Sequence, residues 1–148
     1  MTVKNSFQAF LVMKKRKIKD LRKNLNKLNF PTDEIFNLNK VIKKYGGELR
    51  MIGGICRDLI LNKNNSKDLD FVTNMQINKL LTCFEKEKIN FLKSGLKYGC
   101  IKILLTDFTI EITSLRKDFD YDGRRPRIEY TKSWKEDSYR RDFTINAI

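Results

Sequence analysis

Asp68-Leu69-Asp70-Phe71-Val72 alternates acidic and apolar residues. Successive side chains on a strand point to opposite faces, so Asp68 and Asp70 share one face while Leu69 and Phe71 share the other. Two adjacent carboxylates repel each other at neutral pH unless a cation lies between them. The stretch therefore predicts a strand buried on one side and cation-seeking on the other. Just upstream stands Gly53-Gly54-Ile55-Cys56-Arg57-Asp58. Glu48–Ile52 before it reads as a strand, and Ile55–Leu61 within and beyond it as a short helix. A glycine turn lets the backbone approach a phosphate, and the start of a helix offers unpaired N–H groups and partial positive charge. Arg57, one turn into that helix, is placed to reach back to the same anion. A Gly-Gly pair alone marks only a tight turn. Followed by the acidic strand, it points to metal-dependent phosphoryl or nucleotidyl transfer.

Composition narrows the chemistry. The 148 residues suffice for one domain with a core, and 41% hydrophobic with 33% charged residues fits a globular chain. There is no histidine, which excludes Ser-His-Asp and Cys-His catalysis and His-based zinc sites. Cys56, Cys83 and Cys100 are odd in number and form no Cys-x-x-Cys, so neither a disulfide framework nor a zinc knuckle is expected. A reducing, cytoplasmic setting is the default, with an organellar matrix as the alternative. No apolar run approaches the roughly 20 residues that span a bilayer, so no membrane partner is expected. The formal charge of +13 favours a polyanionic partner, although the abundance of Lys, Asn and Ile also follows from AT-rich coding.

The charge is unevenly placed. Residues 1–29 hold nine Lys or Arg and one Asp, a net of +8, and read as a basic N-terminal extension. Within it Ile18, Leu21, Leu25 and Leu28 recur at helical spacing, which fits either a phosphate-gripping helix or an amphipathic helix packed on the domain. Residues 30–148 read as the domain proper. Thr32 or Asp33 is the expected cap of a helix whose apolar face comprises Ile35, Phe36, Leu38, Val41, Ile42 and Tyr45, ended by Gly46-Gly47. Ile77–Lys88 is expected to be helical. Ile89–Leu92, Cys100–Leu105 and Phe108–Thr113 are expected to be strands, with Thr106-Asp107 turning the last two into a hairpin. Asp118–Arg127 reads as a charged loop, Ile128–Thr131 as an edge strand, and Trp134 onward as helix. Strands and helices interleave around one hairpin, predicting an α/β (α+β) domain with a mixed or antiparallel sheet.

Two further groups carry candidate chemistry. In Thr109-Ile110-Glu111-Ile112-Thr113 the isoleucines face the core and Glu111 faces away from it. If this strand neighbours Asp68–Val72, Glu111 completes a carboxylate cluster; otherwise it is an exposed strand glutamate. Near the C-terminus, Glu136-Asp137-Ser138-Tyr139-Arg140-Arg141-Asp142-Phe143-Thr144-Ile145-Asn146-Ala147 combines acids, arginines and the helix-capping candidates Asp142 and Thr144.

Four motifs now stand in order: Gly53-Gly54-x-x-Arg57-Asp58, Lys67-Asp68-Leu69-Asp70-Phe71-Val72-Thr73, Ile110-Glu111-Ile112-Thr113-Ser114-Leu115-Arg116, and Arg140-Arg141-Asp142-Phe143-Thr144-Ile145-Asn146-Ala147. From about Leu49 onward the chain resembles the catalytic head of the class II tRNA nucleotidyltransferases (CCA-adding enzymes) and the related bacterial poly(A) polymerases. Asp122-Gly123-Arg124-Arg125 and Trp134-Lys135-Glu136-Asp137 extend the likeness. The resemblance implies a polymerase-β-like nucleotidyltransferase fold and transfer of nucleotides from CTP and ATP to the 3′ end of tRNA without a template. It implies Mg²⁺ bound by Asp68 and Asp70, with Glu111 as a further catalytic acid. It places Gly53, Gly54, Arg57, Asp137 and Arg141 at the incoming nucleotide. Tyr98-Gly99-Cys100 departs from the His-Gly-Thr common in the family, and Asn62 stands where a glycine commonly ends the first motif. Family members continue into a helical neck, body and tail that select the base and hold the tRNA. The expectation is thus a fragment, or a reduced protein that takes those parts from a separate chain. Adenylation of RNA 3′ ends with ATP alone, and an inactive RNA-binding remnant, are the alternatives.

Overall fold

The computed structural model describes residues 30–60, 67–119 and 127–141. The basic extension, the Asp122–Arg125 stretch, and the capping candidates Asp142 and Thr144 lie outside the described residues. The described part is a mixed α+β structure. Helix α1 (Thr32–Lys44) leads to strand β1 (Leu49–Met51), helix α2 (Gly54–Ile60), strand β2 (Asp68–Thr73) and helix α3 (Ile77–Lys86). A 3-10 turn (Leu96–Tyr98) precedes β3 (Cys100–Leu104) and β4 (Thr109–Ser114); β5 (Arg116–Phe119), β6 (Arg127–Tyr130) and helix α4 (Trp134–Tyr139) follow.

The main sheet has the order β1-β2-β4-β3, and β5 with β6 form a separate antiparallel ribbon. β2 and β4 run parallel, while β1–β2 and β3–β4 are antiparallel, so the sheet is mixed as expected. The loop between β3 and β4 turns at Thr106-Asp107, with Leu105 N–H donating to Phe108 O at 2.8 Å. Alternation divides the sheet cleanly. Leu69, Phe71, Ile101, Ile103, Ile110 and Ile112 point to one face and form the core with Leu38 and Ile42 of α1 and Leu80 and Phe84 of α3. Burying these side chains, at roughly 1.5–3 kcal/mol each, is the main force holding the two helices on that face. The other face carries Asp68, Asp70, Glu111 and Lys102 toward one end, while Val72 at the other end is covered in a second small cluster with Ile52, Leu115 and Trp134.

Four local expectations are corrected. Thr32 is the first residue of α1 rather than its cap; the capping position falls on Pro31, which makes no side-chain cap, and Thr32 Oγ1 donates to Phe30 O at 3.2 Å. Phe36 does not join the apolar face but is 66% exposed, because the core-facing stripe of α1 is set by Leu38 and Ile42. Ile89–Leu92 forms only a single bridge, Leu92 to Lys102, on the outer edge of β3. Residues 116–119, expected partly as loop, form β5, which pairs with β6 from Arg116↔Tyr130 to Phe119↔Arg127. Gly46 and Gly47 do end α1, their N–H groups donating to Lys43 O and Ile42 O at 2.9 Å each.

Candidate functional site

The polar face of the sheet is ordered in rows by register. Asp70 on β2 stands opposite Glu111 on β4, and Glu111 stands opposite Lys102 on β3. Asp68 lies two residues along β2 from Asp70, opposite Thr109, and is exposed. The parallel β2–β4 pairing thus brings together the three acids that sit far apart in sequence. Lys102 Nζ lies 3.2 Å from Glu111 Oε2, an ion pair between partly exposed groups. Lys102 was not legible as a site residue, because its place depends on the long-range register of β3.

The electrostatics follow from this crowding. The Asp70 carboxyl is raised above the ordinary carboxylate range, first by burial, then by the charges of Glu111 and Asp68. Arg141 and Lys102 act in the opposite direction. Both nearby thiols are pushed far up and stay protonated at neutral pH. Cys56 rises to about 11 through burial and the charge of Asp70; Cys100 rises to about 12 through burial and its hydrogen bond to Glu111.

The glycine turn abuts the acids directly. Gly53 has φ +77°, and a Cβ built there would stand 3.0 Å from Asp70 Oδ2. Only glycine combines that backbone conformation with that approach. Ile52 N–H donates to Asp70 O at 2.9 Å, fastening the turn to β2, and Cys56 N–H donates to Gly53 O at 3.2 Å. Gly54 opens α2, and Arg57 is on the same helix.

Asp137 organises the arginine side of the site. It is only 2% exposed. Its Oδ1 accepts from Arg116 N–H at 3.1 Å and from Arg140 Nε at 3.0 Å. Its Oδ2 accepts from Arg141 Nε at 2.9 Å and Nη2 at 2.6 Å. One buried carboxylate therefore fixes two guanidinium groups and ties α4 to the start of β5. α4 itself is seated by Trp134 packing on Ile52, Val72 and Leu115, with the Arg50 guanidinium 3.8 Å from the ring centre. Ser133 caps it, its Oγ accepting from Glu136 N–H at 3.3 Å.

Beside this arrangement lies a cleft of about 450 Å³, lined by Tyr98, Lys102, Glu111, Arg116, Arg140 and Arg141 among others. It opens on the β4–β3 half of the sheet, whereas the glycine turn follows β1 at the opposite edge. Among the described residues no three His, Cys, Asp or Glu side chains converge as ligands of one metal ion, and no helix is long and apolar enough to cross a membrane.

Known proteins share this arrangement of chain. CCA tRNA nucleotidyltransferase 1, mitochondrial, of Danio rerio is 35% identical over 118 residues, covering 79% of this chain and 27% of its own length. A crystal structure of the Bacillus stearothermophilus CCA-adding enzyme in complex with CTP superposes with TM-score 0.62 at 26% identity, covering 79% of this chain and 27% of the other. A tRNA nucleotidyltransferase complexed with a primer tRNA and an incoming ATP analog superposes with TM-score 0.53 at 27% identity, covering 74% of this chain and 29% of the other. The present chain thus spans less than a third of these relatives. Residues 49–148, which hold the acidic rows, the glycine turn and the arginines that follow α4, match the family described as the poly A polymerase head domain, and the chain belongs to that family.

Proposed function

We propose that this chain is the catalytic head of a template-independent nucleotidyltransferase that adds nucleotides from CTP and ATP to the 3′ end of tRNA. The observation that carries the reading is the contact of Gly53 with Asp70, in a row shared with Glu111 and beside Asp68. A phosphate-approaching turn and a cluster of carboxylates meet at one point.

The donor set fits Mg²⁺. Carboxylate oxygens are the ligands this ion prefers, and it is commonly held by one or two carboxylates, with waters and substrate phosphates completing its shell. Asp68 and Asp70, neighbours on one face of β2, would hold it. When bound, the ion supplies activation of the 3′-hydroxyl and charge neutralisation at the leaving pyrophosphate. The chain's own groups do the rest. Gly53 and Gly54 let the backbone approach the triphosphate, and Arg57 and Arg141 counter its charge. Glu111 adds negative potential beside Asp70, and Lys102 offsets part of it. In place of the direct nucleotide contact that the resemblance implies, Asp137, whose oxygens are occupied by Arg116, Arg140 and Arg141, orients Arg141.

The test is incorporation of labelled CTP and ATP into tRNA lacking its CCA end, by the chain alone and with a helical body supplied separately. Asp68→Ala and Asp70→Ala should each reduce incorporation by about 10³-fold, the scale of a lost electrostatic anchor in transfer chemistry. Near-normal rates in either variant would sink the assignment. The family description also names poly A polymerases, and incorporation of ATP alone, with CTP refused, would select 3′ adenylation instead.

A further inference from the structure

We propose that Tyr98 is a stacking platform for the last base of the RNA strand that accepts the nucleotide; the assignment rests on the transfer reading above. Tyr98 closes the 3-10 turn before β3 and lines the 450 Å³ cleft. It is 48% exposed, while Phe84 and Phe71 are buried in the core. Lys97 Nζ sits 4.7 Å from the centre of its ring. Lys102, Arg116 and Arg140 supply further cations to the same cleft, against the single carboxylate of Glu111 among its lining residues. An exposed ring set among cations is the chemistry that recognises single-stranded nucleic acid: bases stack on the ring and phosphates pair with the cations. A duplex would not present the free base face that such a ring takes.

Position decides which base is taken. Asp70, Glu111 and Lys102 form one row across β2, β4 and β3, and Tyr98, four residues before Lys102, lines the same cleft as Lys102 and Glu111. With the triphosphate at the glycine turn beside β1, the attacking hydroxyl must arrive from the far side of the Asp68–Asp70 pair, because attacking and leaving oxygens are roughly in line. The far side is the Tyr98 side. The platform is also held firmly. Tyr98 N–H donates to Gly95 O at 2.9 Å, and the Arg116 guanidinium donates to Tyr98 O. Gly99 follows with φ +71°, and a Cβ there would lie 3.1 Å from the Tyr130 ring.

The experiment is fluorescence anisotropy of the 148-residue chain with a 5′-labelled single-stranded RNA. One probe ends in an ordinary nucleotide and the other in an abasic ribose. Base–aromatic stacking should make the wild type prefer the base-bearing end by about tenfold. Tyr98→Phe should keep that preference, and Tyr98→Ala should abolish it. Binding of labelled CTP or ATP by Tyr98→Ala should match wild type. The proposal is overturned if Tyr98→Ala keeps the preference, if nucleotide binding is lost instead, or if the wild type shows no preference. Incorporation assays separate the two readings. Transfer by wild type with an unchanged RNA KM in Tyr98→Ala ends the platform and spares the transfer reading. A clear end preference without transfer does the reverse.

Discussion

Gly53 and Asp70 are in contact across the turn between β1 and α2, with room for a hydrogen but not for a methyl group without displacement of the carboxylate. The carboxylate that anchors the proposed ion is thus positioned in part by the absence of a side chain. Gly53→Ala should cost about 1–2 kcal/mol for the left-handed backbone alone, lowering the melting temperature by roughly 3–8 °C. It should also weaken the rise in melting temperature on adding Mg²⁺, since Asp70 is pushed aside. Thermal melts with and without Mg²⁺ read both effects, and an unchanged melt in either condition contradicts the contact.

The acidic row should cost stability when no cation is present. Asp70 is raised by burial, Glu111 and Asp68, so the folded chain holds its proton more tightly than the unfolded chain does. Ionising it then opposes folding: the cost is absent below the ordinary carboxylate pKa and complete once pH exceeds the raised value. Asp70→Asn removes the charge, and at neutral pH in EDTA the variant should melt about 2 °C or more above wild type. At pH below the ordinary carboxylate range the two should converge. With Mg²⁺ added, the wild type should gain and the variant should not. A variant that melts lower than wild type in EDTA would show that the row is not repulsive.

Much of this was legible in the sequence because it rests on period-2 alternation. Asp68–Phe71 and the burial of Ile110 and Ile112 against partly exposed Glu111 need only that rule. What alternation cannot supply is register between distant strands. Lys102 joins the site only because β3 pairs with β4 so as to set it opposite Glu111. Arg116–Phe119 was missed as a strand because Arg-Lys-Asp carries no apolar face; it is a strand because β6 pairs with it. Asp137 reads from sequence as one acid in a charged run, and its burial appears only when α4 is seated on Val72 and Leu115.

The Lys102–Glu111 pair should tune Asp70 more than it stabilises the fold. Both side chains are partly exposed, and such pairs contribute at most about 1 kcal/mol. Lys102→Met should therefore leave the melting temperature nearly unchanged while raising the Asp70 carboxyl further, since one opposing positive charge is gone. Glu111→Gln should lower it. Carboxyl ¹³C NMR titration of metal-free protein measures both shifts. Equal titration curves in wild type and Lys102→Met would mean that the row does not act as one electrostatic unit.

Asp137 separates positioning from contact. Removing a buried partner of charged groups leaves them uncompensated, at a cost of about 3–5 kcal/mol. Asp137→Ala strips Arg140 and Arg141 of that partner and Arg116 N–H of its acceptor, so the melting temperature should fall by roughly 10 °C or more. Asp137→Asn keeps the shape and one acceptor for Arg116 N–H, so it should fall less. Arg141→Ala leaves Asp137 bonded to Arg140 and Arg116 and should lose less stability than Asp137→Ala. If Arg141 meets the nucleotide and Asp137 only aims it, KM for CTP and ATP should rise in both Asp137→Asn and Arg141→Ala. The double variant should then be no worse for nucleotide KM than Arg141→Ala alone, because the one arginine that meets the nucleotide would already be gone. Additive losses in the double variant would mean that Asp137 acts on the nucleotide by a route of its own.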